Sequence, residues 1–139
     1  MLDPRKITDS FAVSPQIEVE DMPAIAAAGY RSILCNRPDN EEIGQCASDA
    51  IKTAAEAAGL AYRAVPITSG QVSETDLADF RAALEELPAP VLAYCRTGTR
   101  CTMLWSIANI GEMPPAKIVE AAADAGYDMS GLVAQMTRS

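Results

Sequence analysis

The 139-residue chain contains no histidine. That absence removes Ser-His-Asp and Cys-His nucleophile pairs, histidine metal sites, and the usual general base near neutral pH. A nucleophile here must be activated without histidine, and a helix amino terminus flanked by arginines is one of the few remaining ways. The cysteines Cys35, Cys46, Cys95 and Cys101 form no C-x-x-C pair. The start, Met1-Leu2-Asp3-Pro4-Arg5-Lys6, lacks the apolar core of a signal peptide, so a disulfide framework is not expected. No apolar run approaches the length of a membrane span. Basic residues are scarce, 11 against 19 acidic ones for a net charge of −8, which excludes nucleic acid and anionic membranes as main partners. With 49% hydrophobic residues and no repeat, linker or low-complexity stretch, residues 1–139 are expected to form one cytoplasmic domain with a sizeable core.

What is present alternates strand with helix. Phe11-Ala12-Val13-Ser14 reads as a first strand, followed by a turn at Ser14-Pro15-Gln16. Asp21 offers an N-cap and Pro23 suits a first helical turn, with Gly29 as the stop. Arg31 to Asn36 reads as a second strand, ended by Arg37-Pro38. A helix follows, roughly from Gly44 to Ala58 with Gly59 as its C-cap. Ala61 to Ile67 predicts a third strand, whose Pro66 belongs at its very end or at a sheet edge. Thr68-Ser69-Gly70-Gln71 reads as a loop. Ser73 and Asp76 form a capping-box pattern before a helix striped by Leu77, Phe80 and Leu84. After the break at Pro88-Ala89-Pro90, Val91 to Tyr94 is a strand leading to Cys95. Later helices are predicted from Arg100 to Ile110, from Pro114-Pro115 through Ala123 to a stop near Gly126, and from Met129 to Met136. The pattern predicts an α/β domain, a central, mainly parallel sheet of about four strands flanked by helices. Ligands bind outside the carboxyl ends of such strands, where Cys95 would sit.

The chemistry-bearing stretch is Cys95-Arg96-Thr97-Gly98-Thr99-Arg100-Cys101. Backbone N–H groups of the loop and of the following helix terminus make an anion site that favours thiolate over thiol. Gly98 permits a loop conformation that other residues resist. Cys95 is the expected nucleophile, and Arg100 reaches back to hold an oxyanion in a bidentate fork. Arg96 adds charge at the rim, and Thr97, Gly98 and Thr99 complete the cradle. Arg37, at the same sheet edge, either helps hold an anionic substrate or pairs with Asp39, Glu41 or Glu42. Cys101 packs under the strand ends, or serves as a resolving thiol for oxidised Cys95. Cys35 and Cys46 are expected in the core or on a helix face. Met103, Leu104 and Trp105 are expected to be core rather than substrate contacts. No metal or cofactor is expected.

The hexapeptide from Cys95 to Arg100 resembles the active-site loop of rhodanese-type sulfurtransferases. Together with Ile33-Leu34-Cys35-Asn36-Arg37-Pro38-Asp39, Glu41-Glu42 and Leu92-Ala93-Tyr94, it resembles the phosphatase-like domain of beta-lactamase hydrolase-like proteins, from about Ile7 to about Asn109. That resemblance implies a tyrosine/dual-specificity-phosphatase-like fold and a sulfur transferase label. Some members of the family are fused to a metallo-beta-lactamase-fold domain similar to persulfide dioxygenases, which makes such a domain a candidate partner. Protein phosphatases carry H-C-x5-R-S/T, one loop residue more than is found here, with histidine at the position of Tyr94 and Ser or Thr at that of Cys101. They also present a general-acid aspartate in the loop after the preceding strand, whereas Thr68-Ser69-Gly70-Gln71 holds no carboxylate. Sulfur transfer needs no such acid, because thiolates leave readily near neutral pH. The expected function is therefore a sulfurtransferase that moves sulfane sulfur from a small anionic donor, a persulfide or thiosulfate, through a Cys95 persulfide to a thiol or cyanide acceptor. The alternatives are a phosphatase working through a Cys95 phosphocysteine and an anion-binding module without turnover.

Overall fold

The computed structural model describes residues 3–68 and 72–137. Five strands form one sheet: β1 (Arg5–Lys6), β2 (Phe11–Ser14), β3 (Ser32–Cys35), β4 (Ala61–Ala64) and β5 (Val91–Tyr94). Their spatial order is β1-β2-β5-β3-β4. The last four are mutually parallel, and β1 runs antiparallel along β2 with Arg5 opposite Val13. The expected four-stranded sheet is thus a mixed one of five strands. β1 is two polar residues with no periodicity, and only the free edge of β2 makes it a strand. Among the described residues six α-helices flank the sheet: α1 (Met22–Ala27), α2 (Ser48–Ala57), α3 (Glu74–Glu86), α4 (Thr99–Ala108), α5 (Pro115–Asp124) and α6 (Ser130–Met136).

Alternation along the strands divides the core in two. Phe11, Val13, Leu34, Val91 and Ala93 face one side, where Phe80 of α3, Leu104 and Trp105 of α4, Ile118 of α5 and Val133 of α6 cover them. Ala12, Ile33, Cys35, Leu92 and Tyr94 face the other, against Ile25 of α1 and Ile51 of α2. Burial on both faces explains why these strands read as continuous apolar runs. The same parity carries past β5 and puts Cys95 on the α4 side.

Several boundaries differ from those predicted. The helix expected from Gly44 begins at Ser48, because Asn40 (φ 65°) and Gly44 (φ 83°) hold left-handed turns before it. Asp39 then accepts the Ser48 amide at 2.8 Å, satisfying an orphan donor of the first turn. β4 lies at the sheet edge and stops before Pro66, as its proline requires. The Ser73–Asp76 capping box forms in both directions. Ser69, Gly70 and Gln71 of the expected loop lie outside the described residues, as do Met1, Leu2, Arg138 and Ser139. Among the described residues, no helix is long and apolar enough to cross a membrane.

Candidate active site

Cys95 follows β5, the strand flanked by β2 and β3, and α4 begins four residues later at Thr99. Gly98 makes the turn at φ 90°, a conformation that side chains with a β-carbon rarely adopt. Its carbonyl accepts from both the amide (3.1 Å) and the hydroxyl (2.9 Å) of Thr102, which locks the loop onto the first turn of α4. Across the sheet end, the Gln16 amide donates to the Arg96 carbonyl at 3.3 Å. The Gly98 amide is thereby aimed at Cys95 Sγ, 3.1 Å away.

The sulfur is held as a thiolate. The Cys101 thiol donates to it, and the backbone amides of Cys101, Thr97 and Gly98 add to that effect, outweighing the opposing cost of burial and lowering Cys95 to about 5. Cys101 itself is buried in the core and is pushed the other way, first by burial, then by its hydrogen bond with Cys95 and by the Cys95 charge. One thiol of the pair is therefore ionised and its neighbour is the proton donor.

The arginines are arranged differently from the simple fork expected. Arg100 is buried, and both of its terminal nitrogens are taken by Glu41, at 2.6 Å to Oε2 and 2.7 Å to Oε1. The Ile67 carbonyl accepts a further bond at 2.9 Å. Arg37 is more deeply buried, and its guanidinium donates to Glu41 (2.9 Å), Gln16 (2.8 Å) and Glu42 (3.0 Å). Asp39, one of the expected partners of Arg37, caps α2 instead. Glu41, bonded to both guanidinium groups, falls from its usual 4.5 to about 2, the Arg100 bond being the largest cause. Arg96 stays exposed, with Glu42 at 3.9 Å. Arg37, Glu41, Arg96, Thr97, Thr99, Arg100 and Met103 line an open cavity of about 460 Å³. Met103, expected in the core, is half-buried and faces this cavity, whereas Leu104 and Trp105 are core residues. Cys35 is core, and Cys46 lies in the loop before α2.

Two groups at the site were not singled out from sequence as site residues. Glu41 was legible only as a possible partner of Arg37, and its contact with Arg100 spans 59 positions. Tyr127 was not legible at all. Its hydroxyl donates to the Thr97 carbonyl at 2.9 Å, and a β-carbon on Gly98 would run into it.

A domain on a mixed, mostly parallel sheet, with a buried thiolate between its central strand and the following helix and an arginine closing the loop, defines the class of cysteine-based, phosphatase-like enzymes. The chain belongs to the family described as "Beta-lactamase hydrolase-like protein, phosphatase-like domain", whose sequence profile matches residues 3–112. It is 34% identical over 134 residues to a beta-lactamase hydrolase-like protein of Xylella fastidiosa, covering 95% of this chain and 31% of that protein. The chain thus spans about a third of the length of the curated relatives it matches. Among solved structures it is similar to a candidate phosphatase of Neisseria meningitidis, with 36% identity, TM-score 0.85, and coverage of 96% and 95% of the two chains. A kinase associated phosphatase whose catalytic-site cysteine is replaced by serine shares the fold, with TM-score 0.67 and 10% identity over 91% of this chain and 83% of its own. Of the two activities expected from sequence, these relationships favour the phosphatase alternative over sulfur transfer.

Proposed function

We propose that the domain hydrolyses phosphomonoesters whose leaving groups depart without a proton, aryl phosphates above all. The observation that carries this reading is the Cys95 thiolate, lowered to about 5 and bonded by the Gly98 amide at the start of α4. Its family and its solved relatives support it. The thiolate attacks phosphorus, the bond to the ester oxygen breaks, and the aryloxide leaves with the electron pair. Water then attacks the phosphocysteine, the P–S bond breaks, and phosphate is released with the thiolate restored. Arg100 and the loop amides stabilise the developing charge. Glu41 and Glu42 are both held ionised by arginine, so neither has a proton to give an alkoxide. Cys95 is fully buried in this conformation. Substrate therefore reaches the sulfur only as a covering group moves, and the Glu41 carboxylate on the Arg100 fork is the group a substrate anion would replace. Purified protein is expected to turn over an aryl phosphate, with an alkyl phosphate at least about a hundredfold slower. Turnover equal to that of Cys95→Ser would sink the proposal.

Sulfur transfer is the second reading, favoured by the shorter loop and by the occupied Arg100 fork, which leaves less room and charge for a phosphoryl dianion. Here the thiolate attacks the outer sulfur of thiosulfate or a persulfide, the S–S bond breaks, and sulfite or a thiolate leaves. The resulting Cys95 persulfide passes its sulfur to a thiol or to cyanide. A persulfide-consuming metallo-beta-lactamase-fold domain would be a fitting partner, and a reducing cytoplasm the fitting compartment. The mass of trapped Cys95 separates the readings: a phosphoryl group after aryl phosphate supports the first, one added sulfur after glutathione persulfide the second. An unmodified Cys95 with every donor leaves the anion-binding module.

The resolving role of Cys101 belongs to the same proposal. Peroxide would oxidise the Cys95 thiolate to sulfenic acid, and the adjacent Cys101 thiol would attack that sulfur, expelling water and forming a disulfide. Mild peroxide followed by peptide mass spectrometry is expected to give a Cys95–Cys101 disulfide in the wild type and stable sulfenic acid in Cys101→Ser. If the wild type forms none, Cys101 is only the proton donor.

A further inference from the structure

Tyr127 and Cys95 sit at opposite ends of one peptide group. The Tyr127 hydroxyl donates to the Thr97 carbonyl at 2.9 Å, and the N–H of the same peptide unit, that of Gly98, donates to Cys95 Sγ at 3.1 Å. In a planar trans peptide, C=O and N–H point in opposite directions, so a bond that fixes one fixes the aim of the other. A donor on the carbonyl also polarises the amide and strengthens its N–H as a donor, since hydrogen bonds in series reinforce one another. We propose that Tyr127 is a positioning residue for the Cys95 thiolate, acting through the Thr97–Gly98 peptide. This rests on Cys95 reacting as a thiolate, whichever substrate it takes.

The placement of Tyr127 is built into the fold. Gly126, at φ 98°, ends α5 in a Schellman motif: the Gly126 amide donates to the Ala123 carbonyl at 2.9 Å and the Tyr127 amide to the Ala122 carbonyl at 2.9 Å. The ring belongs to the same core as Ala122 of α5 and Leu104 of α4, and the Arg5 guanidinium lies 5.3 Å from its centroid. Arg5 belongs to β1 and Tyr127 follows α5, so the two ends of the domain meet behind the catalytic loop. Burial, the largest cause, raises the phenol above its usual value, which keeps it a neutral donor. Glycine at 98 leaves room for the hydroxyl, which a β-carbon would strike. Tyr127 also lies outside residues 3–112, the part matched by the family. The carboxyl-terminal helices thus contribute to the site as well as to the core.

The test reads the thiolate directly, through the pH dependence of Cys95 alkylation by iodoacetamide followed by peptide mapping. Tyr127→Phe keeps the ring, its packing and the Arg5 contact but loses the donor. Its alkylation midpoint is expected to rise by about half a unit to one unit, and the aryl phosphate kcat to fall several-fold with KM little changed. Fluorotyrosine at 127 is a stronger donor and leaves the fold intact, so its midpoint is expected to fall. Wild-type midpoints in both variants would overturn the proposal, and so would equal upward shifts in both. Shifts of opposite sign without any turnover would keep Tyr127 in its role and reject the proposed hydrolase.

Discussion

Glu41→Ala is expected to lower stability and raise anion affinity together. The substitution leaves Arg37 and Arg100, whose side chains are 1% and 9% exposed, facing each other without their shared carboxylate. Removing one member of a fully buried ion pair costs about 3–5 kcal/mol, and here only the arginine side is buried, so the cost is smaller. Protonation linkage points the same way. Glu41 falls from 4.5 to about 2 in the folded chain. A depressed carboxylate stabilises the fold above its unfolded pKa and loses that contribution as pH falls through the folded value. Glu41 is partly open to solvent, so screening leaves about 1–2 kcal/mol of that difference as stability, lost between pH 4.5 and pH 2. A melting temperature roughly 5 °C below wild type at pH 7 is therefore expected, with the gap closing as the pH falls toward 2. At a temperature where the variant stays folded, inorganic phosphate should bind about tenfold more tightly, because the Arg100 fork is free. A variant as stable as the wild type, or one that binds phosphate no better, would show that water replaces the carboxylate without cost. Glu41→Gln, which keeps the volume and one acceptor, should fall between the two.

The second large effect belongs to Cys95. Cys95→Ser should lose turnover by roughly a thousandfold or more, because an alcohol buried among amides is not ionised near pH 7. In the wild type, alkylation of Cys95 should rise with pH through a midpoint of about 5 and then stay flat. An ordinary cysteine would instead show its midpoint near 8.5. The sign for stability follows from the same depression. The folded chain binds the Cys95 proton less tightly than the unfolded one, so the contribution is complete above the unfolded value and is lost as pH falls through about 5. Cys101→Ala removes the largest cause of the depression and should move the alkylation midpoint upward. A midpoint near 8.5 in the wild type would remove the basis for a thiolate nucleophile.

Much of the domain is written locally. Continuous apolar runs in β2, β3 and β5 mark strands buried on both faces, and Ser73 with Asp76 announces α3. Cys95 through Arg100, an apolar strand passing through a glycine into a helix, marks the thiolate loop. These signals are legible because strand period, helix capping and left-handed turns depend on residues a few positions apart. β1 has no local signal, because two polar residues have no period. α2 starts at Ser48 and not at Gly44, because Asn40 and Gly44 hold left-handed turns that bring Asp39 back to cap it.

The sequence by itself thus determined the α/β class, the cysteine loop, and the need to activate a nucleophile without histidine. Only the tertiary structure decided what surrounds the sulfur. The parallel register of β3 beside β5 sets Cys35 against Tyr94 and brings the Arg37–Glu42 loop to the same sheet edge as Cys95. Glu41 can then close on Arg100 across 59 positions, and Tyr127 reaches Thr97 across 30. No local pattern encodes such contacts, because sheet order and helix packing, set by burial over the whole chain, decide which distant residues meet.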